Sequence, residues 1–382
     1  MLGLALLALT ACQSAPADYG RPLPPGAPAL LLLRPGEPRP DLRASFHDRE
    51  EIWAPLSRSI EWTRREYAKQ FFPIEGIDHE LAQRSLERFQ ELLITTKSAN
   101  EFQAAFDREF DVYKSAGWDA RGGGVLFTGY CTPILAGSLA QSDVYRHPLY
   151  SLPGDLVKAS DGTILGQRNA TTGQLLPYPE RRTIEAGLLR GQSLELVYLR
   201  DPLDAFIAHV NGSAIIQLED GSEVRFGYAG KNGRPYTSLG QELIDGGQIS
   251  KQDISLGTIR QWAKEHPELV SGYLDRNESY VFFTPIDGNP HGSLNVPVQG
   301  ERSLATDKRL FPRGALVFVD CYLPSDAGRR TPFRQLMFDQ DTGGAIRTAG
   351  RADIYVGVGH TAERRAGATK SPGQLYYFFL RD

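Results

Sequence analysis

Hydrophobic positions recur at helical intervals in the first third of the chain. In one segment they fall at i, i+4, i+7 and i+11, with charged residues between them: Ala82, Leu86, Phe89 and Leu93. This spacing predicts an amphipathic helix. A second helix is predicted to start at the capping-box sequence Ser98-Ala99-Asn100-Glu101. Its aromatic residues share one face and are expected to be a core stripe: Phe102, Phe106, Phe110 and Tyr113.

After residues 122–124, three consecutive glycines, the hydrophobic period shortens to that of strands. "VLFTGYCTPIL" (125–135) predicts a strand, a turn and a strand. In "AIIQLEDGSEVRFGYAG" (214–230) the Asp220-Gly221 pair predicts a hairpin, with Ile216 and Leu218 opposite Val224 and Phe226. A helix is predicted again at 255–270. The remaining β segments are 315–324, 333–341, 352–359 and 374–380. The pattern predicts a mainly β protein with N-terminal helices.

The N-terminal run "MLGLALLALTAC" is apolar and too short to span a membrane as a helix. Its ending, Leu9-Thr10-Ala11-Cys12, resembles a bacterial lipobox, which predicts a signal peptide over 1–11 and a lipid on Cys12; the alternative is a chance cysteine. Gln13, rather than Asp, indicates the periplasmic face of the outer membrane. The proline-dense segment 12–45 is predicted to be an extended tether to this anchor.

Charge and cysteine content narrow the choice of partners. The 382-residue chain has a formal net charge of -4 and no long basic block, which argues against nucleic acid as a partner. No CxxC or HExxH pattern occurs, so neither a metal nor another cofactor is expected. Spacing cannot decide whether Cys131 and Cys321 pair or stay free and buried.

Carboxylates next to glycines are the remaining candidates for chemistry, because the chain has no G-x-S-x-G, P-loop or GxGxxG pattern. Asp341 precedes Gly343-Gly344, and Asp353 precedes Ile354, Tyr355 and Gly357. Glycines let the backbone turn tightly and let a bulky polymer approach. Two aspartates that merely cap turns are the alternative interpretation.

Several ordered motifs resemble those of the MltA-type lytic murein transglycosylases, which carry a C-terminal 3D-type double-psi barrel region. They are "FTGYCTP" (127–133), "FIAHVNGSA" (206–214), "YAGKNGRPYTSLG" (228–240), "TIRQW" (258–262), "YVFF" (280–283), "SLATDKRLFPRG" (303–314) and "DTGGAIRTAGRADIYVG" (341–357). The resemblance implies a double-psi β-barrel domain built from 46–133, with its helices, and 289–382. A second β-barrel domain, 134–288, would be inserted into it, with a groove between the two for a glycan strand.

The resemblance also implies a function. The enzyme would cleave the MurNAc–GlcNAc β-1,4 bond of peptidoglycan without water, because the substrate's own C6 hydroxyl attacks C1 and leaves a 1,6-anhydro end. Asp353 would be the one general acid and base, with Asp341 and Asp307 in support. Proteins of cell-wall synthesis or division would be further partners, besides the glycan strands and the membrane that holds the anchor.

The residues expected to contact the glycan come from the same motifs, and a turn or packing role is the alternative for each. They are Thr128, Gly129, Tyr130, Asn211, Ser213, Tyr228, Lys231, Asn232, Tyr236, Gly343, Gly344 and Tyr355. The chain departs from the family pattern at Cys131 for a tyrosine, Asn211 for a glutamine and Ala214 for a glycine. The segment between Asp341 and Asp353 is also one residue longer than the family's.

Two other functions fit the same residues. A glycoside hydrolase would use two carboxylates, with Asp341 activating water and Asp353 as the acid. A lipid-anchored module that binds peptidoglycan without cleaving it would need no acid at all.

Overall fold

The computed structural model describes residues 16–159, 164–169, 171–325 and 328–381, so the predicted signal peptide and Cys12 lie outside the described residues. The helices are α1 (Arg43–His47), α2 (Arg49–Thr63), α3 (His79–Thr95), α4 (Ala99–Glu109), α5 (Arg181–Thr183), α6 (Pro202–Asn211), α7 (Leu239–Asp245), α8 (Leu256–Glu265), α9 (Pro267–Leu274) and α10 (Gly359–Ala368). A 3-10 helix covers Glu66–Phe71, and a π turn, Ile184–Leu188, follows α5.

The strands divide into three sheets. In chain order they are β1 (Leu30–Leu32), β2 (Phe110–Ser115), β3 (Val125–Thr132), β4 (Ile134–Ser138), β5 (His147–Tyr150), β6 (Leu156–Lys158), β7 (Ile164–Arg168), β8 (Leu175–Leu176), β9 (Glu195–Leu199), β10 (Ala214–Gln217), β11 (Glu223–Lys231), β12 (Val281–Pro285), β13 (Ser303–Ala305), β14 (Leu316–Pro324), β15 (Arg330–Asp341), β16 (Arg351–Val358) and β17 (Lys370–Leu380).

Six strands close the first barrel, in the order β3, β17, β14, β15, β13, β16 and back to β3. Two of its pairs, β13 with β15 and β3 with β16, are parallel, whereas the others are antiparallel. β2 and then β1 extend the sheet from β17. This barrel therefore joins strands from both ends of the chain.

The second barrel has the order β12, β11, β10, β4, β9, β5, and a bridge between Ser151 and Phe283 closes it. β6, β7 and β8 form a small separate sheet. Helices α6 to α9 pack together around buried side chains such as Phe206 and Trp262. The two-barrel fold class predicted from the sequence is confirmed.

Pro133 marks the passage from one barrel to the other. It alone separates β3, which belongs to the first barrel, from β4, which belongs to the second. Proline has no N–H to donate to a ladder, so it suits a point where a chain leaves one sheet. The predicted turn between these strands is thus a change of sheet within an almost continuous strand.

Alternation along β3 and β16 decides which residues face the second barrel. Val125, Phe127 and Cys131 of β3 are buried in the core of the first barrel, as are Ala352 and Ile354 of β16. Because successive side chains of a strand point to opposite faces, the residues between them lie on the outer face. Those outer residues are Thr128 and Tyr130 on β3, and Arg351, Asp353 and Tyr355 on β16.

The N-terminal helices pack on the outside of the first barrel. Phe89, Phe102 and Phe106 are buried there with Phe378 of β17. α4 ends at Glu109, so the prediction that Phe110 and Tyr113 continue its helical face is wrong: both lie on β2. The reason is tertiary, because pairing with β17 supplies their backbone hydrogen bonds.

The start of α4 differs in one detail from the predicted capping box. The Ser98 hydroxyl accepts from the Glu101 N–H at 3.2 Å, as expected for an N-cap. The Glu101 carboxylate, however, accepts from the N–H of Lys97 at 2.8 Å instead of that of Ser98. Both contacts still satisfy N–H groups at the helix start.

The predicted tether is shorter than 12–45. Leu30–Leu32 forms β1 against β2, and Ala29 and Leu30 are buried in the first barrel. Proline density predicts an extended chain but does not reveal that an edge strand will pair with it. Among the described residues, no helix combines the length and apolar character that crossing a bilayer requires.

The other strand predictions largely hold. The 214–230 hairpin is confirmed with Ile216 opposite Val224, while Phe226 lies opposite Ala214.

Cys131 and Cys321 are free, buried thiols, which settles the question that spacing left open. Helix α10, between β16 and β17, was not predicted.

Candidate active site

Four residues form a row across neighbouring strands on the outer face of the first barrel. Ala305 on β13 pairs with Asp341 on one side and with Asp353 on the other, and Asp353 pairs with Thr128 of β3. At about 4.8 Å per strand, the two aspartates are about 10 Å apart along this row. The small Ala305 side chain separates the two carboxylates.

The Asp353 carboxylate has two polar neighbours, both at Oδ1. The Thr128 hydroxyl donates a short hydrogen bond to it, and Nη2 of Arg351 lies 3.5 Å away. Arg351 also donates to the Thr128 hydroxyl at 3.2 Å. Oδ2 of Asp353 has no hydrogen-bond partner among the described residues, so it is the oxygen available to a ligand.

The Asp341 carboxylate is bonded at both oxygens. Oδ2 accepts from the Tyr130 hydroxyl at 2.8 Å, and Oδ1 accepts from the N–H groups of Ser293 and Thr342, each at 2.8 Å. Burial raises the pKa of Asp341, and these three donors oppose the shift. The arrangement is that of a carboxylate held in place.

Tyr130 connects this carboxylate to β16. Its ring lies 5.1 Å from that of Tyr355, its partner in the parallel strand pair. Burial raises the pKa of Tyr130 well above its usual range, and the charge of Asp341 raises it further. The phenol therefore stays protonated and remains a donor to Asp341.

A second row of polar side chains joins the two barrels. The hydroxyls of Tyr355 and Thr132 are 2.8 Å apart, and Ser213, after α6, is 3.3 Å from Thr132. The Asn211 side-chain oxygen accepts from the N–H of Cys131 at 3.3 Å. Tyr355 and Ser213 are buried. Substrate contact was predicted for Asn211, Ser213 and Tyr355. In the structure Asn211 and Ser213 bond from the second barrel to β3, whereas Tyr355 bonds to Thr132 within the first barrel.

The facing wall comes from the second barrel. A Cβ on Gly344 would lie 3.6 Å from that of Tyr236, so the turn that contains Gly343 and Gly344 approaches the 231–238 loop directly. Burial raises the pKa of Tyr236, and the charge of Asp353 adds to the shift. Burial and the neighbouring Arg347 lower the pKa of Lys231. Tyr236 and Lys231 therefore lie opposite residues of the first barrel.

Tyr228 lies on β11 of the same barrel, and its side chain is 50% exposed. An exposed aromatic ring on a strand can stack on a sugar face without any rearrangement. The sugar contact of Tyr228 stays a prediction.

Asn232 does not face the cleft, contrary to the prediction. Its side chain is buried, and its nitrogen donates to the carbonyls of Pro179 and Glu278 at 2.9 and 2.8 Å. Its oxygen accepts from the N–H of Tyr280 at 2.9 Å. An amide whose donors and acceptor are already used fixes the loop that carries Lys231 and Tyr236.

Gly129 also has a packing role. A Cβ at this position would lie 2.8 Å from the Cα of Ala366 on α10. Glycine is needed here because the helix approaches the strand closely. The sequence could not show this, since α10 was not predicted.

Asp307 is bound to a neighbour in its own turn. Its carboxylate pairs with the Arg309 guanidinium at 2.9 and 2.6 Å.

The sequence did not indicate the buried carboxylate of Asp339, which pairs with Lys308 and accepts from Tyr377 at 2.8 Å. Arg351 was also missed, although its position two residues before Asp353 places both on one strand face.

Within the described ranges, no group of three or more His, Cys, Asp or Glu side chains is arranged to hold a metal ion. The polar groups around Asp353 are carboxylate, hydroxyl and guanidinium groups. One carboxylate with an unbonded oxygen lies in a cleft between two barrels.

Comparison with known proteins agrees with this architecture. The MltA specific insert domain family matches residues 126–284, and the 3D domain family matches residues 302–379. A crystal structure of a membrane-bound lytic murein transglycosylase from Agrobacterium tumefaciens matches with a TM-score of 0.74 at 27% identity, covering 92% of this chain and 98% of that one. E. coli MltA with bound chitohexaose matches with a TM-score of 0.69 at 26% identity, covering 97% and 98%.

Two curated relatives match over two thirds or more of the chain. Membrane-bound lytic murein transglycosylase A of E. coli K12 is 29% identical over 384 residues, or 98% of this chain and 94% of that protein. The protein of the same name from Vibrio cholerae is 32% identical over 265 residues, or 68% and 67%. The fold is that of a lytic transglycosylase. More specifically, the chain belongs to the MltA family of lytic murein transglycosylases.

Proposed function

We propose that the protein cleaves the MurNAc–GlcNAc β-1,4 bond of peptidoglycan without water, with Asp353 as its one general acid and base. The observation that carries this is the inequality of the two carboxylates. Asp341 is bonded at both oxygens, whereas the described residues leave Oδ2 of Asp353 without a partner. Only Asp353 has an oxygen ready to exchange a proton with a ligand.

The reaction needs only one exchangeable proton. Asp353 protonates the glycosidic oxygen as its bond to C1 breaks. The C6 hydroxyl oxygen of the same MurNAc then bonds to C1, and its proton passes to the Asp353 carboxylate, which restores the acid. Since the nucleophile is part of the substrate, proximity replaces a second catalytic group.

Neighbouring groups hold the carboxylate for both steps. The Thr128 hydroxyl and the Arg351 guanidinium fix Oδ1, so that Oδ2 is presented to the ligand. After Asp353 has donated its proton, the positive charge of Arg351 lies beside the ionised carboxylate and stabilises it. Asp341 keeps Tyr130 and the 341–344 turn in place.

The walls of the cleft supply glycan contacts. Tyr228 and Tyr236 stack on sugar rings, and Lys231 bonds to N-acetyl or lactyl oxygens. The chitohexaose bound to the E. coli relative supports a glycan ligand. Gly343 and Gly344 let the strand pass close to the backbone.

The predicted lipid on Cys12 would hold the enzyme at the periplasmic face of the outer membrane, near its polymer substrate. Two relatives that carry "membrane-bound" in their names support membrane attachment. Cell-wall synthesis or division proteins would meet it there.

Digestion of murein by the soluble form from Ser14 onward, wild type against Asp353→Asn, tests the proposal. Mass spectrometry should find 1,6-anhydro-MurNAc ends with the wild type and at least a thousandfold less release with the variant. Circular dichroism and melting temperature control for folding. Reducing ends without anhydro products, or a variant that releases murein at the wild-type rate, would overturn it.

A further inference from the structure

A cavity of about 440 Å³ lies in the second barrel and is distinct from the Asp353 cleft. Four arginines line it: Arg146, Arg181, Arg182 and Arg190. Two carboxylates, those of Glu185 and Asp275, also belong to the wall. Guanidinium groups thus outnumber carboxylates by two in this small space.

Arg181 is the fixed part of the cavity. Its side chain is only 2% exposed, and it donates to the carbonyls of Asn277 and Ser279 at 3.1 and 2.7 Å. The nearest carboxylate, that of Glu185, is 3.6 Å away. The neutral His209 ring, 2.8 Å from Nη1, adds no counter-charge, so Glu185 is the one ion-pair partner of Arg181 among the described residues. The Arg181 charge therefore adds to those of the other arginines and favours an anion beside it.

The other three arginines are exposed donors of the cavity wall. Arg182 and Arg190 are exposed, and the guanidinium of neither forms an ion pair or hydrogen bond with any residue that the structure describes. Among the described residues, the Arg146 guanidinium bonds only within its own turn: it donates to the Asp143 carbonyl and forms an ion pair with the exposed Asp143 carboxylate at 4.0 Å. All three guanidinium groups can therefore turn toward a ligand at little cost in broken contacts.

The acids do not cancel this charge. Burial raises the pKa of both Glu185 and Asp275, and the neighbouring arginines oppose the shift. With both acids ionised, the four arginines still leave an excess of positive charge of about two. It fits a small group with two negative charges, and planar guanidiniums match carboxylates with paired hydrogen bonds.

The cavity shares a wall with the cleft. Asn277, whose carbonyl accepts from Arg181, also accepts through its side chain from the N–H of Thr237 at 3.1 Å. Tyr236, the adjacent residue, faces Gly344. The Arg181 charge also acts on the Tyr236 hydroxyl, lowering its pKa against the larger effect of burial.

We propose that this arginine cavity binds carboxylate groups of the short peptides that branch from murein glycan strands. The proposal rests on the proposed function, because it assumes that the strand in the cleft carries such peptides. Their free carboxylates provide the two negative charges. The enzyme would then bind peptide-bearing strands more tightly than naked strands.

Binding of a free peptide tests the cavity apart from catalysis. The probe is the tetrapeptide that an amidase releases from sacculi, titrated calorimetrically into Asp353→Asn protein, with inorganic phosphate as the second probe. Adding Arg182→Gln and Arg190→Gln should weaken tetrapeptide binding about tenfold, since charge-assisted hydrogen bonds are lost. The matched control is Arg65→Gln with Arg329→Gln, both exposed in the part that lies outside the second barrel.

Digestion then tests the consequence in otherwise wild-type protein. Arg182→Gln with Arg190→Gln should raise KM about tenfold on peptide-bearing murein and leave kcat, and both constants on naked strands, unchanged. Equal tetrapeptide affinity in the two double variants would overturn the proposal, as would binding of phosphate without tetrapeptide. Digestion by the wild type without anhydro products would instead count against the proposed function, while the calorimetry would still judge the cavity.

Discussion

Thr128 and Asp353 are directly paired residues of the parallel strands β3 and β16, and the threonine hydroxyl donates to the aspartate carboxylate. The two residues are 225 positions apart in the chain. Their contact depends on the closed barrel, which places a donor from one strand beside the acid of the next.

Replacing this donor should impair catalysis more than binding. Thr128→Val keeps the side-chain shape but loses the hydroxyl. A hydrogen bond to a charged group contributes about 1.5–3 kcal/mol, so kcat should fall roughly ten- to a hundredfold with little change in KM. Thr128→Ser, which retains the hydroxyl, should stay within about threefold of wild type. Steady-state digestion of murein measures both, and equal losses in the two variants would show that the hydroxyl does not matter.

Asp341→Asn separates a one-carboxylate from a two-carboxylate mechanism. We expect activity to fall by no more than about tenfold, because the variant weakens the bond from Tyr130 but leaves Asp353 intact. The products should remain anhydro-ended. A loss as large as that of Asp353→Asn, together with reducing-end products from the wild type, would favour the hydrolase in which Asp341 activates water.

Gly129→Ala should destabilise the first barrel. The added methyl group would lie 2.8 Å from the Cα of Ala366, and overpacking of this kind costs about 1–3 kcal/mol. Gly272→Ala in α9 is the matched control, since a Cβ there meets nothing within 4 Å. The control should be neutral or up to about 1 kcal/mol more stable. Urea unfolding monitored by tryptophan fluorescence gives both values, and an unchanged Gly129→Ala midpoint would contradict the close helix contact.

His209 should make the stability of the second barrel depend on pH. Its Nδ1 lies 2.8 Å from the Arg181 guanidinium, which can only donate, so the ring is neutral with its proton on Nε2. Burial, and then the charge of Arg181, lower its pKa well below the usual range. In the unfolded chain the His209 imidazole becomes protonated near pH 6.5, whereas in the folded chain it stays neutral at that pH. The contribution of His209 to the free energy of unfolding is therefore fully present above that pH and is lost as the pH falls.

The expected loss between pH 7.5 and 5.5 is about 1.4 kcal/mol for one proton. His209→Gln keeps an acceptor for Arg181 but cannot titrate. Urea unfolding across this range should show a steeper fall for the wild type than for the variant. Parallel curves for the two proteins would mean that His209 is not the source of the dependence.

Short-range patterns were enough to predict much of the fold. Alternation along 125–135 and 352–359 predicted β3 and β16, and helical spacing predicted α3 and α8. The same alternation explains why Asp353 and Thr128 face outward while Ile354 is buried. These features depend on neighbours in sequence, which a pattern can report.

Long-range contacts account for what the sequence did not reveal. The pairing of β2 with β17 ended α4 earlier than its aromatic stripe indicated. Asn232 looked like a ligand-binding amide, but carbonyls about fifty positions away in the chain take its hydrogen bonds. The arginine cavity is likewise assembled from segments more than a hundred residues apart, none of which carries a pattern of its own.

The position of β3 in the first barrel affects the order in which the two barrels can fold. Its two neighbours, β16 and β17, are the last strands to be made, whereas β4 to β12 of the second barrel find all their partners within 134–285. The second barrel can therefore fold while the first still lacks two strands. The Thr128–Asp353 pair forms only when these last strands are in place, so a chain cut short before β16 lacks the pair however well its second barrel is folded.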